Sequence, residues 1–204
     1  MVNSLVGGLG VSARSFMGAE PDNLSFVARL WAERLSGVLY LRYPASGRVR
    51  EVPLRSGGLV DPSQARQIRV ALRSCVLTFT PQPVQGGAHR RELAEALFAG
   101  ALSNADADVP MAAEDVTFSL TYGLGPLTEL TLSYPADGLA AAAAHSVSVG
   151  EMLQAAPRRL RAARELHALC LMGLVSLDTA EELDLSPPPR YAAFLTGALT
   201  GDPG

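Results

Sequence analysis

The chain has 204 residues, of which 48% are hydrophobic and only 18% charged, against about 25% charged in an ordinary globular protein. That composition excludes a largely disordered chain, and a formal charge of −3 excludes the domain-wide basic footprint of a typical nucleic-acid binder. All 17 basic residues are Arg, so Schiff-base chemistry and a phosphate-loop Lys are excluded too.

The first 22 residues are an apolar, Gly-rich segment, and the first Arg, Arg14, comes after the apolar run that opens it rather than before it. This is not the order of a secretory signal, and no apolar run reaches the ~18 residues of a membrane span. The expected location is cytoplasmic. From Asn23 to about Leu35, Phe26, Val27, Leu30, Trp31 and Leu35 recur at helical spacing. Ser36-Gly37 stops that helix. Val38 to Leu41 then reads as a strand, Pro44 to Gly47 as a turn and Val49 to Leu54 as the returning strand. Val52 and Leu54 share one face of it with Arg50, and Val49, Glu51 and Pro53 share the other. Ser56-Gly57-Gly58 turns into a short third strand at Leu59-Val60. Asp61-Pro62 caps and opens a helix to about Arg73, with Ala65, Ile68, Ala71 and Leu72 inward and Arg66, Arg69 and Arg73 outward. Cys75 to Thr80 is a strand, closed by Pro81 and Pro83. His89 to Leu102 is a helix with Leu93, Leu97 and Phe98 on one stripe.

Asn104 to Ala113 is a small, acidic connector and a candidate domain boundary. Beyond it, Asp115 to Tyr122 and Leu127 to Tyr134 both alternate and predict a β-hairpin around Gly123 to Pro126. Leu139 to Ala144 is Ala-rich. Ser148 with Glu151 forms a capping-box pattern for a short helix to Ala156, which Pro157 breaks. A longer helix from Arg158 to Met172 would bury Leu160, Ala163, Leu166, Leu169 and Cys170. His167 falls at the edge of the core, and Leu174 to Leu177 is a closing strand. Helix, turn, longer helix and strand give the outline of a winged-helix unit. Pro187-Pro188-Pro189 is a stiff spacer before a last helix, Tyr191 to Leu199.

One stretch resembles a known family. Phe26 and Leu30, the run Ser36 to Leu41, Gly47-x-Val49-x-x-Val52-x-Leu54-x-x-Gly57-x-x-Val60, Ala71-Leu72 and Leu77-x-Phe79-x-Pro81 are similar to the PatA amino-terminal (PATAN) domain family. The likeness runs from Leu24 to Ser103. Leu160 to Leu177 resembles the small winged-helix unit often found with it. Ser36 stands where the family has Thr, Asp61 where a small residue is common, and Arg73-Ser74-Cys75 where an acidic-Gly approach is usual, the marks of a divergent member. The resemblance implies an α+β fold and a bacterial signalling adaptor, linked with response regulators or small GTPases. It implies no catalytic residues. The expected organisation is a segment 1–22, a PATAN-like module 23–104, a hairpin with a winged-helix-like unit 114–178, and a Pro-containing extension 179–204.

The chemistry-bearing residues point the same way. His89, His145 and His167 have no partner at metal-ligand spacing, and neither Gly-rich stretch has the GxGxxG form between strand and helix. Cys75 and Cys170 each sit in an apolar run and read as small buried hydrophobes. No cofactor is expected, and no enzyme. The densest charge cluster is Arg158, Arg159, Arg161 and Arg164 on the second helix of the winged-helix-like unit. It is the candidate contact for an acidic protein partner. DNA entry by that helix is an alternative reading, against the acidic overall charge. A nucleotide held by Arg48, Arg50 and Arg55 of the hairpin is a further one. Self-association is also expected from the low charge and the apolar hairpin faces.

Overall fold

The computed structural model describes residues 21–178. The expected Pro-rich spacer and last helix, and all but the final two residues of the segment 1–22, lie outside the described residues.

Helix α1 (Pro21–Ala32) turns Val27, Ala28, Leu30 and Trp31 into the core. It ends at Ala32, before Leu35. Arg34, with φ +57°, reverses the chain, so Leu35 is left partly exposed rather than on the helix stripe. Strands β1 (Gly37–Arg42), β2 (Val49–Arg55), β3 (Gly58–Leu59) and β4 (Val76–Pro81) form one antiparallel sheet in the order β3-β2-β1-β4. Pro53 suggests an edge strand from sequence, since it has no N–H to give a ladder, yet it lies in β2 between β1 and the two-residue β3. A 3-10 turn (Pro62–Gln64) leads into α2 (Ala65–Ser74). Its start is fixed as the sequence predicts: Asp61 accepts the Ser63 N–H at 2.9 Å and the Ser63 hydroxyl at 2.8 Å. The same two bonds, the hydroxyl first, hold the Asp61 carboxyl below its ordinary range. Helix α3 (Arg90–Leu102) buries Leu93, Ala94, Leu97 and Phe98.

The connector after α3 contains a short helix, α4 (Asp108–Ala112). Strand β5 (Thr117–Leu120) follows, then a single turn α5 (Leu124–Leu127), α6 (Ala136–Ala144), α7 (Val149–Ala155), α8 (Arg159–Leu171) and β6 (Val175–Asp178). The capping box is present: Ser148 Oγ accepts the Glu151 N–H at 3.2 Å, and Glu151 reaches back to the Ser148 N–H at 3.2 Å. Gly173 ends α8 at φ +69°, a conformation that favours glycine.

The predicted hairpin of residues 115–134 does not form. β5 pairs instead with β6, Phe118 opposite Leu177 and Leu120 opposite Val175. Residues 124–130 coil into successive turns, with Thr128, Glu129 and Leu130 donating to the carbonyls of Leu124, Pro126 and Leu127. Two features override the alternation. Gly123 takes φ +68° and turns the chain off the strand, and Pro126 has no N–H to give a ladder. Leu127 and Leu130 are then buried at helical spacing, three apart.

The molecule is therefore mixed α+β with antiparallel sheets. Nearly all of its buried apolar residues form one cluster running from Val27 through Leu97 and Phe118 to Val175, past the acidic connector. α8 packs on both α3 and α4 across it.

A polar network crosses the same seam. Arg90, at the start of α3, binds Glu129 through Nε at 2.9 Å and Nη2 at 2.7 Å. Its Nη1 donates to the carbonyls of Trp31 at 2.9 Å and Ser56 at 2.7 Å. The Trp31 indole N–H donates to Glu129 at 3.1 Å, and the Arg90 guanidinium lies 5.8 Å from the Trp31 ring centroid. Gly57 makes the turn beneath it at φ +71°, where a Cβ would collide with the Trp31 carbonyl oxygen.

Arg90→Met strips Glu129 of its charge partner in a mostly enclosed site and should cost about 3 kcal/mol in urea unfolding. Arg91→Met removes only the exposed Arg91–Glu95 pair and should cost under about 0.5 kcal/mol. Cys170 gives a pH signature. Burial pushes its thiol up to about 12. An unfolded thiol ionises near pH ~8.5, so this contribution to stability is complete below that pH and is lost as pH rises toward 12. Cys170→Ala should flatten the alkaline fall of stability by up to about 1.4 kcal/mol per pH unit over that window.

Candidate functional site

The four predicted contact arginines sit at the start of α8, at its N-cap (Arg158) and in its first turn and a half, and all are exposed. Three are engaged within the molecule. Arg159 pairs with Glu114, Arg161 with Glu165 at 2.8 Å, and Arg164 Nη2 donates to the Leu102 carbonyl at 3.1 Å. Arg158 has no such partner among the described residues. Glu165 is 3% exposed, and it also accepts the Ser133 N–H at 2.7 Å and the Ser133 hydroxyl at 2.6 Å. The Arg161–Glu165 pair is thus part of how α8 is seated. At about 100° per residue, Ala162, Glu165, Leu166 and Leu169 line the inward side, and Leu160 falls opposite them beside Arg164. Leu160 is 63% exposed, so its expected inward position is corrected. His167 is half-buried, as its place at the core edge implies, and its Nδ1 accepts the Asp106 N–H at 2.8 Å.

A second basic cluster is assembled by tertiary structure. Strand β2 sends Leu54 and Val52 into the core, and alternation places Arg50 and Arg48 on that same face as the strand runs past the edge of the core. Tyr43, just beyond β1 and bonded through its N–H to the Arg48 carbonyl at 2.9 Å, lies beside them. Across from this overhang is the flank of α2. Arg66, Gln67 and Val70 share it at three- and four-residue spacing, while Ile68, Ala71 and Leu72 hold the helix in the core. Together with Ser46 these residues line an open groove of about 370 Å³. The lining includes three arginines and no acidic residue.

Tyr43 forms the inner end of the groove. Burial comes first in raising its phenol pKa, Cys75 adds to it, and the nearby Arg50 cation opposes it. Cys75 is buried and its thiol is also raised, chiefly by burial. Of the hairpin arginines considered from sequence, Arg48 and Arg50 reach the groove and Arg55 does not: Arg55 Nη1 donates to the Gly86 carbonyl instead. Arg66 was assigned to a solvated helix side, and only the placement of α2 against the hairpin brings it in. Alternation in β2 carries the signal for Arg48 and Arg50; nothing local links them to Arg66.

The opposite face of the four-stranded sheet carries Val38, Pro53 and Thr80, then Tyr40, Glu51 and Thr78, then Arg42, Val49 and Val76, as three cross-strand rows. In the last row Val49 is 50% exposed and Val76 48%. Among the described residues, no three His, Cys, Asp or Glu side chains are grouped so that they could hold a metal ion, and no helix is long and apolar enough to cross a membrane. Comparison with protein families, with characterised proteins and with solved structures returns no match to this chain.

The two readings of α8 separate by mutation. Glu165→Ala leaves the Ser133 N–H and hydroxyl and Arg161 without their acceptor and should cost about 2–3 kcal/mol. Leu160→Ala should change stability by less than about 0.5 kcal/mol. Chemical denaturation of both variants checks this, and a large cost for Leu160→Ala would restore the inward assignment.

Proposed function

We propose that this chain is a non-catalytic adaptor, acting by contact with another protein through the open face of its four-stranded sheet. The observation that carries the reading is the last row of that face. Val49 and Val76 stand half-exposed on either side of Arg42, with Glu51 diagonal to it and Tyr40 in the adjacent row. Apolar contact area bounded by one charge of each sign is the make-up of a protein interface, where Tyr and Arg are enriched. The occupant is a folded partner that offers apolar side chains to the two valines and an acid and a base to Arg42 and Glu51.

The resemblance of residues 24–103 to the PATAN family supports the same reading, since such modules serve bacterial signalling as adaptors. The winged-helix-like likeness of residues 160–177 belongs with it. The engagement of Arg159, Arg161 and Arg164 by Glu114, Glu165 and the Leu102 carbonyl argues against α8 as a DNA-reading helix. A helix that enters a groove needs its cations free to meet phosphates.

A photo-crosslinking residue at position 49 or 76, in the full chain in its native cells, should trap one discrete heterologous protein. Val49→Asp with Val76→Asp should abolish that complex in a purified two-component assay, and Arg158→Ala with Arg159→Ala should leave it intact. A homotypic crosslink would replace the adaptor with a self-associating module. Loss of the complex in the α8 variant alone would move the contact to α8.

A further inference from the structure

We propose that the groove between the β1–β2 hairpin and α2 binds a nucleoside phosphate, its phosphate held by Arg48, Arg50 and Arg66 and its base laid against Tyr43 and Val70. The site lies on the other face of the hairpin from the partner surface and stands independently of the adaptor reading.

Charge is the first argument. The protein carries more acidic than basic residues, and several of its arginines meet a carboxylate: Arg29 with Glu33, Arg90 with Glu129, Arg91 with Glu95, Arg159 with Glu114. In the groove three arginines from two elements line one open surface with no acid in the lining. Like charges brought together repel, and the nearest acid on the hairpin, Glu51, points to the other face of the sheet. An anion is the counterpart that this arrangement lacks. Guanidinium groups suit phosphate because their paired N–H donors match two of its oxygens.

Shape and chemistry narrow the anion. A groove of about 370 Å³ falls at the lower end of the ~300–1,000 Å³ of small-ligand sites, which fits one mononucleotide-sized molecule. Its remaining surface is not what a bare inorganic anion needs. Tyr43 presents an aromatic ring, Val70 an aliphatic face 52% exposed, Gln67 an amide able both to donate and to accept, and Ser46 a hydroxyl. Ring, aliphatic face and amide suit a planar heterocycle with polar edges, and aromatic stacking of a base contributes about 1–3 kcal/mol. The carboxylate-free lining fits an anionic ligand and disfavours a cationic one.

Isothermal titration calorimetry on the full chain, with nucleoside mono-, di- and triphosphates in one arm and inorganic pyrophosphate and sulfate in the other, tests this. At least one nucleotide should bind about tenfold tighter than pyrophosphate. Arg50→Ala and Arg66→Ala should each weaken it about tenfold or more, and Tyr43→Leu should reduce it to the affinity of pyrophosphate. Arg158→Ala should leave it unchanged. Arg50 and Arg66 are exposed, so those variants keep the fold, and their unfolding curves confirm it. Pyrophosphate binding as tightly as every nucleotide would overturn the base contact and leave a simple anion site. Absence of nucleotide heat at millimolar ligand, or affinity untouched by Arg50→Ala and Arg66→Ala, would overturn the site altogether.

Discussion

Arg90 is the side chain on which the arrangement of this protein depends. It begins α3, yet its guanidinium reaches the C-terminal end of α1 at the Trp31 carbonyl, the β2–β3 turn at Ser56 and the segment after α5 at Glu129. Four pieces of chain, 98 residues apart at their extremes, are held at one point. The Trp31 ring is fully buried beneath it, and its indole N–H, which would otherwise be unsatisfied there, has Glu129. Gly57 is required because the turn passes too close to Trp31 for a side chain. Apolar packing is non-directional, and the paired N–H donors of Arg90 on Glu129 add a fixed geometry to it.

Once the core and this network are set, the sheet has two unlike faces. α1, α2 and α3 gather against one of them, and the hairpin overhangs that packing at its far end. There the strand still alternates, but it has run out of core. Positions that would otherwise be apolar carry Arg50 and Arg48. The second face has Val38 buried at one end and, at the other, the half-exposed row of Val49 and Val76 about Arg42. A single hairpin therefore presents an anion-suited groove on one side and a mixed apolar surface on the other.

Local chemistry made most of the elements legible. Asp61-Pro62, the Ser148–Glu151 box and Gly173 act within a few residues of themselves, and each occurs where the sequence places it. The period-two and period-3.6 patterns located β1, β2, β4, α2 and α3. Alternation misled over residues 127–134, because a strand also needs a neighbour with free edge groups. β6 occupies the place beside β5, and Pro126 cannot donate. Leu160 was misplaced for a related reason. Three-residue spacing from Leu160 drifts around a helix, and the true inward stripe has the carboxylate Glu165 at its centre, which hydrophobic periodicity never selects.

The sequence by itself determined the α+β composition, the helix caps, the strand alternation and which residue types were present for chemistry. Each of these rests on interactions between near neighbours or on the backbone preferences of single residues. Only the tertiary structure decided which strand pairs with β5, that Glu165 and Glu129 are enclosed partners rather than solvated acids, and that Arg66 faces Arg48 and Arg50 while Arg55 turns away to Gly86. Those outcomes depend on contacts between residues far apart in the chain, and a charged side chain has no pattern of its own to say whether its counter-charge will come from the protein or from something the protein binds.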